Sequence, residues 1–152
     1  MHPYLQTITL AATPVGELRL AIPFALAKLD LTIGQAYVLS VIGNLIPVVF
    51  WLLFLEVISK FLIKHSEFFR KFFDWLFKRT RRKIQGQYKI YGYIALVLFV
   101  ATPLPITGAW TGTVAAYLLG IPFWRALGLI ALGVAIAGVI VTLASLGIIS
   151  II

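Results

Sequence analysis

Two long apolar runs, residues 36–55 and 126–152, divide the chain into similar halves. A hydrocarbon core of about 30 Å takes roughly 20 helical residues. The run "AYVLSVIGNLIPVVFWLLFL", Ala36 to Leu55, is long enough to span despite Asn44 and Pro47, and the run from Ala126 to Ile152 carries no charge. Each is preceded by an apolar stretch with a break in it. Residues 4–29 are interrupted by "TPVGELRLAIP" and residues 90–123 by "TPLPITGAWTG". The apolar arms on either side are roughly ten to fifteen residues long, too short for an untilted span. Between the halves, Phe68, Phe69, Phe72, Phe73 and Leu76 recur at helical spacing, with Arg70, Lys71, Asp74 and Lys78 on the rest of the wheel. That spacing predicts an amphipathic helix.

Composition makes lipid the solvent for these patterns. The 152 residues are 61% hydrophobic and 12% charged, with mean hydropathy +1.02, more apolar surface than a soluble domain of this size can hide. Ten of the thirteen Lys and Arg residues lie between Lys60 and Lys89. Between membrane segments such a cluster reads as a cytoplasmic, positive-inside loop rather than as a nucleic-acid patch. Its helix is expected in the headgroup layer, with rings toward the acyl chains and cations toward anionic lipid. No Lys or Arg precedes Arg19, so the start does not read as a cleavable leader. There is no cysteine, His2 and His65 are far apart, and no nucleophile–base set or phosphate-cradling loop stands out. Neither an enzyme, a metal nor a cofactor is expected.

A short arm, a Pro/Gly-rich tip and a second short arm describe a re-entrant hairpin, whose irregular backbone needs protein or a cavity around it. Pro14, Gly16 and Pro23 mark the first tip; Pro103, Pro105, Gly108 and Gly112 mark the second. The prolines remove amide donors and restrict the residues before them. Thr107 and Thr111 can satisfy stranded backbone groups. A kinked ordinary span is the alternative. The halves also echo each other: Thr13-Pro14 and Thr102-Pro103 open the tips, and Ala25, Leu29, Ala36, Leu39 and Gly43 match Ala115, Leu119, Ala126, Leu129 and Gly133. With one span between the two hairpins, they would open to opposite faces as an inverted repeat. The expected fold is thus an all-α membrane domain. Residues 1–59 form the first repeat, 60–89 the basic segment and 90–152 the second repeat, with both termini outside.

The stretches "TPVGELRLAIP", "GNLIPVVFWLLFLE" and "PLPITGAWTG" resemble the small multidrug export protein family, over nearly the whole chain, and that family is remotely similar to the DedA and VTT membrane proteins. The resemblance implies paired hairpins meeting near the midplane and proton-coupled movement of lipids or lipid carriers, in the plasma membrane of a prokaryotic cell. Glu17 and Arg19 match the charged residues expected in such tips. The second tip departs from the pattern: it has no acid and no arginine, so a two-carboxylate relay does not carry over.

An ionisable group deep in the membrane costs on the order of 3 kcal/mol by insertion scales and is a default functional candidate. Desolvation opposes ionisation of Glu17 and a nearby guanidinium favours it, which suits proton binding and release. Arg19 suits an anionic group. Asn44 either serves loose hairpin backbone or lines a pathway, and Thr107, Trp110 and Thr111 are expected to line the facing tip. Glu56 and Arg125 read as interfacial, and Lys28 and Asp30 as an outer turn. The expected function is a proton-coupled transporter or translocase of an anionic or amphipathic, lipid-like substrate, working as a homodimer or higher oligomer among membrane lipids. An energy-independent lipid scramblase and a non-transporting scaffold, acting through Arg79, Arg81, Arg82 and Lys83, are the alternatives.

Overall fold

The structure, a computed structural model, describes residues 2–82, 88–104 and 106–150. Pro105 and Lys83 therefore lie outside the described residues. Seven helices and no strand are found among them: α1 (Pro3–Ala12), α2 (Glu17–Lys28), α3 (Ile33–His65), α4 (Glu67–Arg82), α5 (Tyr88–Ala101), α6 (Ala109–Leu118) and α7 (Phe123–Ile149).

Both expected runs form long helices: α3 extends beyond its run at both ends, and α7 starts three residues earlier than Ala126 and ends at Ile149. Helix α3 begins three residues earlier than Ala36 because Thr32 and Gln35 make a capping box: the Thr32 hydroxyl accepts from the Gln35 amide, and the Gln35 side chain accepts from the Thr32 amide. It runs through Pro47 and on to His65, so Lys60 and Lys64, good helix formers, continue the helix past the apolar run. Helix α7 starts directly after Pro122. At 1.5 Å per residue, α3 is about 50 Å long and α7 about 40 Å, both enough to cross a bilayer. Most of their surface is not covered by protein: Val38, Ile42, Ile46, Phe50 and Leu53 form one exposed apolar stripe along α3, and Leu132, Ile136, Val139 and Leu143 another along α7. Stripes of this size call for lipid.

The remaining apolar helices are short. Helices α1 and α2 are about 15 and 18 Å long, and α5 and α6 about 21 and 15 Å, each well short of a full hydrocarbon thickness. Within each pair the arms run antiparallel. Leu10 shares a groove with Leu20, and Gln6 with Phe24, while Gly112 packs on Val100 and Leu119 lies by Tyr93. The long helices are antiparallel too: Gly138 faces Tyr37 and Val41, and the Tyr37 hydroxyl donates to the Ala135 carbonyl at 3.0 Å.

The halves repeat in their packing as well as in their order. The succession of buried, half-buried and exposed positions over 36–48 recurs unchanged over 126–138. Gly43 in α3 abuts Ile8 and Ala11 of α1, and Gly133 in α7 abuts Val97 and Val100 of α5; a Cβ at either would come within 3 Å of its neighbour. Over 17–22 and 108–113 the burial pattern coincides with an offset of 91 residues, which also pairs buried Ala25 with buried Ala116, one residue beyond the Ala115 expected from letter matching.

Helix α4 lies against the far end of this bundle. Phe77 meets Tyr117 of α6 edge-on at 5.7 Å, whereas Phe68, Phe72 and Trp75 are exposed and Arg79 sits 5.2 Å above the Trp75 ring. Its broad apolar face is therefore divided between the bundle and the surroundings.

Candidate functional site

The two breaks in the short helices are local solutions to missing backbone partners. At the first, Pro14 ends α1, and the Thr13 hydroxyl donates to the Leu10 carbonyl (2.7 Å) while accepting from the Gly16 amide (3.0 Å). At the second, the Thr107 hydroxyl accepts from the Leu104 amide (3.1 Å) and donates to the Thr102 carbonyl (2.5 Å). Thr107 thus serves its own tip's backbone, and Thr13, marked in the sequence only as the residue before Pro14, does the same for the other.

The tips meet, and they do so through the charged pair. Arg19 Nη2 lies 2.9 Å from Glu17 Oε2, and the guanidinium also donates to the carbonyl oxygens of Leu104 and Thr107 across in the second tip. Glu17 is only 4% exposed. Its carboxylate interacts with the backbone amides of Ala109 and Trp110, at the start of α6, where the helix dipole favours negative charge. Both ends of the ion pair are therefore committed to the opposing tip: the acid to α6 amides, the base to loop carbonyls.

Backbone geometry supports this contact. Glu17 has φ +45°, a left-handed conformation that costs a non-glycine residue roughly 1–2 kcal/mol. Gly108 has φ +147° with ψ −169°, a region open essentially to glycine alone. A Cβ on Gly108 would stand 2.6 Å from Glu17 Oε1 and 2.8 Å from Arg19 Nη2. Under the 91-residue offset Glu17 and Gly108 are matching positions, so the first half supplies the carboxylate and the second the space that receives it. This accounts for the absence of an acid in the second tip: a second carboxylate there would occupy the seat of the first.

Around the pair lies a cavity of about 10 Å³, on the scale of a single water, lined by Glu17, Arg19, Asn44, Thr102, Pro103 and Gly108. Asn44 is 1% exposed and its Oδ1 has no hydrogen-bond partner among the described residues. It sits eleven residues into α3, level with Val134 and Ala137 near the middle of α7. The tips thus meet near the middle of α7 and about a third of the way along α3, beside the centre of its apolar run 36–55.

Not every sequence candidate converges here. Thr111 is exposed on α6, its hydroxyl 3.4 Å from the Gly108 carbonyl. Trp110 contributes its amide, while its indole packs against Trp51 at 5.6 Å with Nε1 buried and unpartnered among the described residues. Pro14 is exposed, and Gly16 packs on Thr13 and Leu10. Pro23 lies inside α2 and Gly112 inside α6 against Val100, so neither belongs to a tip itself, and both helices continue past them where letter content suggested a break. Glu56 pairs with Lys60 at 2.6 Å, and Arg125 reaches the Tyr93 hydroxyl at 3.5 Å, both away from this site. The carbonyls of Leu104 and Thr107 were invisible to side-chain reasoning because every residue carries one.

No curated protein and no solved structure matches the chain. One family model does, described as "Putative small multi-drug export protein", and it covers residues 17–140, from the charged tip through most of α7. With its two exposed apolar spans, this chain belongs to the small multi-drug export protein family of membrane proteins.

Proposed function

We propose that the protein is a proton-coupled transporter or translocase in which two re-entrant hairpins of an inverted repeat close on each other at the membrane midplane. The grip of Arg19 on the Leu104 and Thr107 carbonyls carries this reading, because it makes the ion pair a latch between the tips. Short antiparallel arms, a shared burial pattern and antiparallel long helices support the repeat. The cavity beside the latch is far smaller than a drug-sized molecule, so movement of substrate requires the tips to part.

The chemistry of parting follows from what holds the tips. A proton on Glu17 removes its attraction for Arg19 and for the α6 amides, and it frees the guanidinium. An incoming anionic group then replaces the carboxylate as the partner of Arg19. The site is therefore suited to an anionic or amphipathic substrate carried together with a proton, with access alternating between the faces. The basic segment 60–89 lies on the cytoplasmic side in this reading, and a second copy covers the exposed tips.

The test is a substrate-dependent proton-flux assay in proteoliposomes loaded with a pH-sensitive dye and challenged with anionic and cationic amphiphiles. Anionic amphiphiles drive proton movement with the unsubstituted chain, and Glu17→Gln abolishes it. Undiminished proton movement in Glu17→Gln overturns the assignment. Bidirectional lipid movement independent of any gradient would mark a scramblase instead.

A further inference from the structure

A second cavity, far from the latch, has the make-up of a ligand site. It holds about 480 Å³ between the end of α3, helix α4 and the α6–α7 turn, within the usual range for small-molecule pockets. Phe77, Tyr117, Ile121 and Phe123 supply apolar walls, and the Glu56–Lys60 ion pair (2.6 Å) stands at its edge. The two charged side chains are about half and three-quarters exposed, so they are free to exchange partners. Leu53, one helical turn before Glu56 and half exposed, carries the apolar surface of α3 on from there.

We infer that this cavity binds a bilayer lipid with a zwitterionic phosphate–ammonium head. The charge pattern selects that class. A head of one sign gains one partner only by breaking the Glu56–Lys60 pair, an exchange of one solvent-exposed ion pair for another with little net gain. A head bearing both signs satisfies both: Lys60 takes the phosphate, Glu56 the ammonium. The ring faces of Phe77 and Tyr117 add attraction for the cationic end. The chains then run down the exposed apolar flank. Phe77 is the wall contributed by α4, which ties the roof of the cavity to the otherwise lightly covered amphipathic helix.

Isothermal titration of the purified 152-residue protein with dihexanoyl phosphatidylethanolamine tests the site, with dihexanoyl phosphatidic acid and hexyltrimethylammonium as single-sign probes. The zwitterion binds more tightly than either. Glu56→Gln and Lys60→Gln each weaken it about tenfold, the exchanged pair Glu56→Lys with Lys60→Glu restores binding, and Ile121→Trp, which fills the cavity, abolishes it. Both charged groups are solvent-accessible, and unchanged melting of the Gln variants shows that folding is not at issue. Equal affinity in the charge variants overturns the proposal. So does an anionic probe that binds as tightly and responds to Lys60 alone, or a cationic probe that responds to Glu56 alone. Equilibrium binding needs no flux, so this site and the midplane reading fail separately.

Discussion

At the scale of single residues, the contact between Glu17 and Gly108 concentrates the most physical constraint. Two terms act on Gly108: a backbone conformation other residues avoid, and direct overlap of any Cβ with the carboxylate. They are separable. Gly108→Ala is expected to lower the melting temperature sharply, the backbone term alone costing about 1–3 kcal/mol. In a Glu17→Ala background the same substitution should cost less, because the overlap is gone and only the backbone term remains; thermal unfolding of the four chains of that cycle measures the difference. Equal costs in both backgrounds would mean the carboxylate does not sit on Gly108. Arg19→Lys makes a different point. An ammonium cannot hold two carbonyls and a carboxylate in one plane as the guanidinium fork does, so this charge-conserving change should still impair transport in the flux assay. Full activity in Arg19→Lys would reduce Arg19 to a mere positive charge.

At the scale of helices, glycine separates two kinds of surface. Gly43 and Gly133 sit where short arms press on long helices, and Gly128 has open space beside it. Gly43→Leu and Gly133→Leu should destabilise to similar extents, since both are packed equally tightly at matching burial positions of the two halves, whereas Gly128→Ala should not lower the melting temperature, alanine being the better helix former by about 0.8–1 kcal/mol. Much at this scale was legible in the sequence. The two spans, the two broken stretches and the amphipathic helix all follow from apolar periodicity and from where Pro and Gly fall. What stayed hidden depended on partners. Thr32 and Gln35 extend α3 through a cap, Lys60 and Lys64 carry it beyond the apolar run, and Pro23 and Gly112 were absorbed into helices because the packing around α2 and α6 outweighs the local preference for a break. At the candidate site the charged pair stood out by its cost in lipid. Its attachment to backbone carbonyls and to a glycine seat could not, since neither group announces itself by side-chain chemistry.

At the scale of the whole molecule, the antiparallel long helices and the repeated burial pattern join two halves that are alike in packing and unlike in chemistry. Glu17, Arg19 and Asn44 all come from the first half; Gly108, Trp110 and Val134 stand in the matching places of the second. In the proposed mechanism two such halves rock between two openings about the charged latch. The account therefore rests on both tips lying deep in the bilayer. The chain has no cysteine, and Val15 and Ile106, 87% and 80% exposed at the two tips, accept a label without disturbing the core. Spin labels placed through Val15→Cys and Ile106→Cys in reconstituted membranes report depth by their relative accessibility to oxygen and to a water-soluble relaxation agent. Both should read about 15 Å from the headgroups, at the middle of the hydrocarbon; a label at either tip that reads at headgroup depth contradicts the account.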